Sequence, residues 1–175
     1  LAETYLRASA PDKVFATLAE IRKSAPPESL TLVNRLELTR LEAMAFYAKK
    51  DLPKAEAMLL DAKREHPTAS GIIRALSNLY IVSDQLTNAI TSLKAQLALN
   101  PDDTHALQNL GAIQLRVNEP TKALEPFDHM VKLLPDNAAA RINRALCFMA
   151  LDRLNEASRD LKRAQNLQPA NSQPP

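Results

Sequence analysis

The chain has 175 residues, of which 46% are apolar and only 4% aromatic, and it carries a formal net charge of +2 at pH 7. This length allows one domain with a continuous core, while so small a charge gives no indication of nucleic-acid binding. The sequence has only two glycines, one cysteine and no apolar run long enough to cross a membrane, which argues against a turn-rich β fold, a disulfide framework and a membrane span.

The segment 1–26 predicts an incomplete pair of helices. Leu1–Ala8 is typical of the end of a helix, and because the chain begins with leucine rather than methionine, we expect it to be a piece of a longer protein. A second helix is predicted to begin at Pro11, since proline is favoured in the first turn. Val14 and Leu18 then repeat at the spacing of one helical face.

The joint between this partial pair and the rest of the chain allows two interpretations. Pro26 and Pro67 are farther apart in the sequence than the later prolines, which stand at one constant spacing. The extra length makes nearly two helical turns and keeps the helical phase, which favours one long helix from Glu28 to Lys49. The alternative is a loop over Ala25–Ser29 followed by a helix of ordinary length.

The remainder of the chain repeats with a period of about 34 residues. Prolines mark the steps at Pro67, Pro101, Pro135 and Pro169. A small residue recurs at Ala43, Ser77, Gly111 and Ala145, and alanine recurs at Ala55, Ala89, Ala123 and Ala157. A large apolar residue, predicted to pack in the core, recurs at Leu59, Leu93, Phe127 and Leu161. Because these positions keep one register over four copies, the sequence predicts four equivalent structural units.

Each unit is predicted to form two helices that pack against each other. In the copy from Thr104 to Asn137, apolar residues recur three and four apart on both sides of a break at Asn118-Glu119-Pro120. Asp84, Asn118 and Asp152 occupy the tight turn of successive copies, where aspartate and asparagine tolerate positive φ. Gln114 stands where the other copies have an aromatic residue, so we expect looser packing there.

A helix pair that repeats with this period resembles the tetratricopeptide repeat, or TPR. Leu76-Ser77-Asn78-Leu79-Tyr80 is similar to the Leu-Gly-x-x-Tyr pattern of that family, and Asn143-Arg144-Ala145 is similar to its Asn-Arg-Gly variant. The resemblance implies an all-α fold, an α-α superhelix in which antiparallel helix pairs form a solenoid. It implies one array over 1–169, with a partial repeat at 1–26, full repeats at 36–69, 70–103, 104–137 and 138–171, and a tail at 170–175.

The titratable residues form no catalytic or metal-binding pattern. His66, His105 and His129 are far apart, and none has another histidine or a cysteine three or four residues away. Cys147 lies between two apolar residues, which indicates a buried, unreactive thiol rather than a nucleophile. We therefore expect a protein that is not an enzyme and that has no cofactor and no metal.

The TPR resemblance implies that the first helix of each repeat lines a concave groove. The groove residues that we expect to bind a protein or peptide are Arg40, Met44, Tyr47, Arg74, Asn78, Ile81, Asn109, Leu115, Arg116, Asn143, Leu146 and Met149. An asparagine amide offers a donor and an acceptor to a peptide backbone, and the arginines favour an acidic or carboxylate-bearing partner. The alternative is that these asparagines and arginines lie on solvated helix faces and that some of the apolar residues pack in the core between repeats.

Two recognition patterns of the family can be compared with these residues. Arg74, Asn78 and Asn109 match the first three places of the carboxylate clamp, but Ala139 and Asn143 stand where its last two cations belong. Asn109 and Asn143 match two steps of the asparagine ladder of the O-GlcNAc transferase superhelix, whereas Leu41 and Ala75 stand at its other two steps and do not match. The resemblance therefore implies recognition of a peptide backbone by amides, without a complete clamp.

The sequence thus predicts a non-catalytic scaffold whose partner is a protein or peptide segment. Two alternatives remain open: a regulatory or substrate-recruiting arm of a larger enzyme, and a self-assembling scaffold in which a neighbouring copy's end repeat or 168–175 tail fills the groove. Nucleic acid is not expected, because the groove has few aromatic residues on which bases could stack. The sequence does not decide between a cytoplasmic and a periplasmic location.

Overall fold

The structure is a computed structural model that describes residues 2–8, 10–25 and 29–167. These residues form ten helices and no β-strand, which confirms the predicted all-α fold class. The helices are α1 (Ala2–Arg7), α2 (Pro11–Ser24), α3 (Leu32–Ala48), α4 (Leu52–Glu65), α5 (Ser70–Val82), α6 (Leu86–Leu99), α7 (Thr104–Arg116), α8 (Pro120–Leu133), α9 (Ala138–Ala150) and α10 (Leu154–Leu167). The predicted tail lies outside the described residues.

Side chains that precede the first helices explain where those helices begin. Asp103 and Asn137 stand just before α7 and α9, and their oxygens accept hydrogen bonds from backbone N–H groups that a helix start leaves unpaired. The backbone nitrogens of His105 and Ala106 lie 3.1 Å from Asp103 Oδ1, and that of Ala140 lies 3.0 Å from Asn137 Oδ1. The two caps are one repeat apart, so they keep successive first helices in one register.

A residue in the left-handed region lies in the turn between the two helices of each of the four pairs from α3 to α10. Lys50, Asp84, Asn118 and Asp152 have φ values between 58° and 65°, and each member follows the previous one by one repeat. The positive φ predicted for the two aspartates and the asparagine is confirmed. Lys50 carries no side-chain signal for this conformation, and its place in the repeat alone accounts for it.

The helix after the joint begins later than the favoured sequence interpretation placed it. Helix α3 covers Leu32–Ala48, so the prediction of one helix over Glu28–Lys49 is wrong, although Glu28 itself lies outside the described residues. Thr31 caps α3, because its Oγ1 accepts a hydrogen bond from the backbone N–H of Asn34 at 3.2 Å. Helix α3 has 17 residues and α5, α7 and α9 have 13 each, so it is longer by about one turn.

The chain divides into two compact units, Leu1–Ser92 and Leu93–Pro175, and the division falls within α6. In the first unit, α1 packs on α2 and α3, while α3 also packs on α4 and α5. Val14 and Leu18 of α2 share an apolar cluster with Leu41 of α3, and none of the three is more than 7% exposed. The partial pair predicted at the start of the chain is thus held against the first full pair by ordinary core packing.

In the second unit, α7 packs on α8, α8 on α9, and α9 on α10. Phe127 of α8 is completely buried and shares a cluster with Leu107 of α7 and Ala140 of α9. Leu161 occupies the equivalent position of α10 but is 41% exposed, so its prediction as a core residue is wrong. The reason is that α9 covers Phe127, whereas no helix follows α10 in the described part of the chain.

A buried ion-pair network joins α9 to α10 and α8. Asp160 is only 4% exposed, and its carboxylate accepts hydrogen bonds from Arg144 Nε at 2.6 Å and from Arg144 Nη2 at 2.7 Å. Arg144 Nη1 donates to Asp128 Oδ1 at 3.0 Å, and Arg141 Nη1 lies 3.4 Å from Asp160 Oδ1. The bond to Asp160 is the main cause of a raised pKa for Arg144. The arginine of the Asn143-Arg144-Ala145 motif is therefore a structural residue.

Candidate peptide-binding surfaces

A pocket of about 400 Å³ in the first unit brings together four of the predicted groove residues. They are Arg40 and Met44 of α3 and Arg74 and Asn78 of α5, and the four-residue spacing sets each pair on one face of its helix. Helix α3 packs on α5, so these two faces border the same space. The rest of the lining consists of Glu3, Glu37, Gly71 and Ala75.

The two arginines of this pocket differ in their surroundings. Arg40 Nη2 donates to Glu3 Oε1 at 2.7 Å, and Arg40 Nε donates to Glu37 Oε2 at 2.9 Å. The bond to Arg40 is the main cause of a lowered pKa for Glu37, and the charges of Arg40 and Arg74 lower it further. Two carboxylates of the chain itself therefore already surround Arg40, whereas Arg74 is exposed on α5.

Tyr47 and Ile81 lie on the same two helices, but they are not part of the pocket lining. Each stands three residues beyond a lining residue, Met44 or Asn78, and each is half-buried. They extend the same helical faces toward the C-terminal ends of α3 and α5. Their part in binding stays a prediction.

In the second unit the predicted residues lie on α7 and α9, which contact each other. Asn109 of α7 and Asn143 of α9 are both half-buried, and they occupy the same position of successive repeats. Leu146 and Met149 of α9 are 46% and 50% exposed and stand three residues apart. They form an exposed apolar strip on α9 beside Asn143, and such a strip can bury surface against a partner.

Leu115 and Arg116 complete the predicted set at the end of α7. Leu115 is half-buried and packs against the core cluster around Phe127. This contact agrees with the alternative that some of the predicted apolar groove residues belong to the core. Arg116 is exposed at the last residue of the helix. Of these two side chains, only that of Arg116 is thus well placed to meet a partner.

Sequence reasoning missed the two acidic residues that line the pocket of the first unit. Glu37 stands three residues before Arg40, and this spacing of opposite charges on a helix is a signal from which the pair could have been found. Glu3 is distant from Arg40 in the sequence, and its contact depends on the way α1 packs on α3. No local pattern in the sequence contains that information.

The described residues form few other groupings of side chains that could catalyse a reaction or bind a metal ion. His129 Nε2 lies 2.8 Å from Asp102 Oδ1, and both side chains reach solvent. Within 2–8, 10–25 and 29–167, no three histidine, cysteine, aspartate or glutamate residues are grouped so that they could hold a metal ion. None of the described helices is both long enough and apolar enough to cross a membrane.

Cys147 should resist alkylation in the folded protein. Its side chain is fully buried, and this burial, together with the negative charge of Asp128, raises the pKa of the thiol to about 11. Because the thiolate is the reactive form, we expect no measurable labelling by iodoacetamide at about pH 8 during the time that labels a urea-unfolded chain completely. Mass spectrometry of timed samples gives both rates, and similar rates in the two states would contradict the prediction.

The fold was compared with known proteins. No protein-family model and no curated protein sequence matches the chain. Solved structures of MamA, a TPR protein, do match its fold. A crystal structure of MamA has 18% sequence identity and a TM-score of 0.75, and the match covers 95% of this chain and 94% of that one. MamA from residue 41 to the end, from Desulfovibrio magneticus RS-1, has 17% identity and a TM-score of 0.76, over 98% and 93% of the two chains.

At such low sequence identity the likeness concerns the fold. It agrees with two independent features of the chain, the regular period of the sequence and the ten described helices that pack in consecutive pairs. The TPR resemblance stated from the sequence is therefore confirmed, and this chain has the fold of the tetratricopeptide-repeat family.

Proposed function

We propose that this chain is a non-catalytic scaffold that binds a protein segment or peptide on the faces of its first helices. The observation that carries the proposal is the pocket of the first unit, where a cation, an amide and a flexible apolar side chain converge at Arg74, Asn78 and Met44. Proteins of this fold are generally non-catalytic scaffolds, which supports the same reading. The predicted single array over 1–169 remains a prediction, and each unit offers its own surface.

The chemistry of the first unit's pocket suits an extended segment. The amide of Asn78 can donate to a backbone carbonyl and accept from a backbone N–H, so it can recognise a peptide without selecting its side chains. Met44 has an unbranched, adaptable side chain that packs against varied apolar groups. Together they favour binding of a main chain with one apolar residue.

A carboxylate of the partner would approach Arg74 rather than Arg40. Arg40 is already bonded to Glu3 and Glu37, and a further carboxylate there would meet two like charges. Arg74 is exposed on the opposite helix of the same pocket. The acidic partner expected from the sequence therefore has one preferred contact in this unit.

The second unit supplies amides and apolar surface. Asn109 and Asn143 occupy equivalent positions of neighbouring helices, and Leu146 and Met149 lie exposed beside the second amide. A segment bound here would bury apolar area on α9 while its backbone pairs with the asparagines.

Affinity measurements with single variants test this proposal. A peptide library is first screened against the wild-type chain, and the strongest binder is then titrated by calorimetry against Asn109→Ala, Asn143→Ala and Arg74→Ala. Loss of an amide leaves a partner backbone group unpaired, so we expect a loss of about 1–3 kcal/mol in binding free energy, or about 5- to 150-fold in Kd. The loss for Arg74→Ala should shrink as salt is raised, since an exposed charge is screened.

Arg64→Ala is the matched control. Arg64 belongs to a second helix, α4, and its side chain is 77% exposed, so it should not take part in binding. Arg74→Ala and Arg64→Ala should keep the wild-type melting temperature, because exposed positions contribute little to stability. Asn109 and Asn143 are half-buried, so the melting curves of their variants serve to show that the chain stays folded. If the three groove variants bind with wild-type affinity, the interface lies elsewhere and the proposal fails.

Light scattering of the purified chain at several concentrations separates this receptor from a self-assembling scaffold. A constant molar mass at increasing concentration agrees with binding of a separate partner. A molar mass that rises with concentration, and that falls in the groove variants, would instead indicate that copies of the chain occupy one another's groove surfaces.

A further inference from the structure

A cavity of about 330 Å³ lies entirely within the second unit. It is bordered by the end of α6, by α7 and by α8. Its apolar wall comes from Leu97, Leu107, Leu110 and Pro126, and Gln114 of α7 forms part of its polar wall. None of the residues proposed to bind a peptide lines this cavity.

Gln114 interrupts the aromatic pattern of the repeat. The equivalent positions of the other repeats hold Phe46, Tyr80 and Phe148, so this copy has an amide where the others have an aromatic ring. Tyr80 shows how such a ring is accommodated: it is 5% exposed, and its hydroxyl donates to Glu56 Oε1 at 3.0 Å. Gln114, which has no ring, lines the cavity of this unit.

Gln114 also has an unsatisfied acceptor. The residue is only 4% exposed, and its Oε1 is buried without a hydrogen-bond partner. Buried polar atoms are nearly always paired, because an unpaired one loses its hydration without any replacement. A group that supplies a donor here would therefore be bound more tightly than an apolar group of the same shape.

The mouth of the cavity carries both signs of charge. Lys94 and Lys122 stand with Glu125 and His129 among the residues that line it. Because the rim carries both signs of charge, it does not favour a ligand of one charge. It does offer hydrogen-bond donors and acceptors to the peptide groups that flank a residue inserted into the cavity.

We propose that this cavity binds the phenol ring of a tyrosine that a partner protein presents. The apolar wall would take the ring, the amide of Gln114 would turn so that its Oε1 accepts a hydrogen bond from the tyrosine hydroxyl, and the rim would meet the flanking backbone. The partner ring would occupy the space that the chain's own aromatic residue occupies in the other repeats. The site is distinct from the groove, so its test does not depend on the proposed function.

The experiment titrates the whole chain with two probes, N-acetyl-tyrosine amide and N-acetyl-phenylalanine amide, and follows backbone and side-chain amides by ¹H–¹⁵N NMR. We expect saturable shifts for Leu110, Gln114 and Pro126's neighbours on α8, with the tyrosine probe binding about tenfold more tightly because only it carries the donor. A third probe, p-cresol, should bind at the same place, since it is the tyrosine side chain alone.

Two variants complete the test. Gln114→Phe restores the residue type of Phe46 and Phe148, so it should fill the space and abolish the shifts while its circular dichroism melt shows a folded chain. Gln114→Leu removes the acceptor but keeps an open cavity, so the tyrosine probe should lose its advantage and bind no more tightly than the phenylalanine probe, because its hydroxyl no longer has a partner. The proposal is overturned by absent shifts, by equal binding of both probes to wild type, by binding that survives Gln114→Phe, or by p-cresol binding without the tyrosine amide.

Discussion

Replacing Asp160 with alanine should lower the free energy of unfolding by about 3–5 kcal/mol, the range found when one partner of a buried ion pair is removed. Asp160 is 4% exposed and bonds Arg144 through both carboxylate oxygens, with Arg141 close by. The substitution would leave two arginines, with side chains only 19% and 16% exposed, without their common partner. Arg144 keeps Asp128 and Arg141 keeps the carbonyl oxygen of Pro135, so we expect a loss near the lower end of this range. Urea unfolding followed by circular dichroism measures the loss.

Asp128→Ala is the matched control for this prediction. Asp128 bonds the same Arg144 at 3.0 Å, but its side chain is 39% exposed, so its loss should cost about 1 kcal/mol or less. Amide hydrogen exchange should show the effect of Asp160→Ala first in α9 and α10, because stability in a repeat protein is largely local. Equal effects of the two substitutions would mean that the burial of Asp160 has no energetic consequence.

Gly111→Ala should destabilise the protein by about 1–3 kcal/mol, as expected for overpacking of a tight core. A Cβ at this position would lie 2.6 Å from Cε2 and from Cζ of the Phe127 ring, and that ring is completely buried. The intrinsic helix propensity predicts the opposite sign, since alanine is better than glycine inside a helix by about 1 kcal/mol. We therefore expect the free-energy cost of overpacking to exceed the gain from the higher helix propensity of alanine.

The other glycine of the chain provides the control. Gly71 also lies in a helix, α5, but a Cβ built there meets nothing within 4 Å. Gly71→Ala should leave the stability unchanged or raise it by up to about 1 kcal/mol. Thermal and urea unfolding of both variants give the comparison, and a stabilised Gly111→Ala chain would show that Phe127 can move away from α7.

Much of the candidate site could be predicted because the repeat sets equivalent residues on equivalent helical faces. The faces that carry Arg40, Met44, Arg74 and Asn78 follow from helical periodicity, and the structure joins them in one pocket. The charge environment could not be predicted in the same way. Arg40 is bonded to Glu3 of α1, and a contact so distant in the sequence depends on how α1 packs.

In the core, too, contacts between helices decide features that the local sequence does not predict. The sequence around Asp160 is strongly polar, with Arg159, Lys162 and Arg163 nearby, and it is typical of a solvated helix face. Asp160 is nevertheless buried, because Arg144 and Arg141 of the preceding helix reach it. Conversely, Leu161 occupies a core position of the repeat but is exposed.

The sequence by itself determined the features that depend on neighbours along the chain. These include the regularly repeated helix pairs, the left-handed turns at Asp84, Asn118 and Asp152, and the small residue at Gly111. Local geometry sets all of them, through helical periodicity, backbone sterics and the approach of two adjacent helices. The tertiary structure alone decided the carboxylates around Arg40, the burial of Asp160 and the unpaired oxygen of Gln114 beside its cavity. Each of these depends on which side chains different helices bring together, and a one-dimensional pattern does not contain those distances.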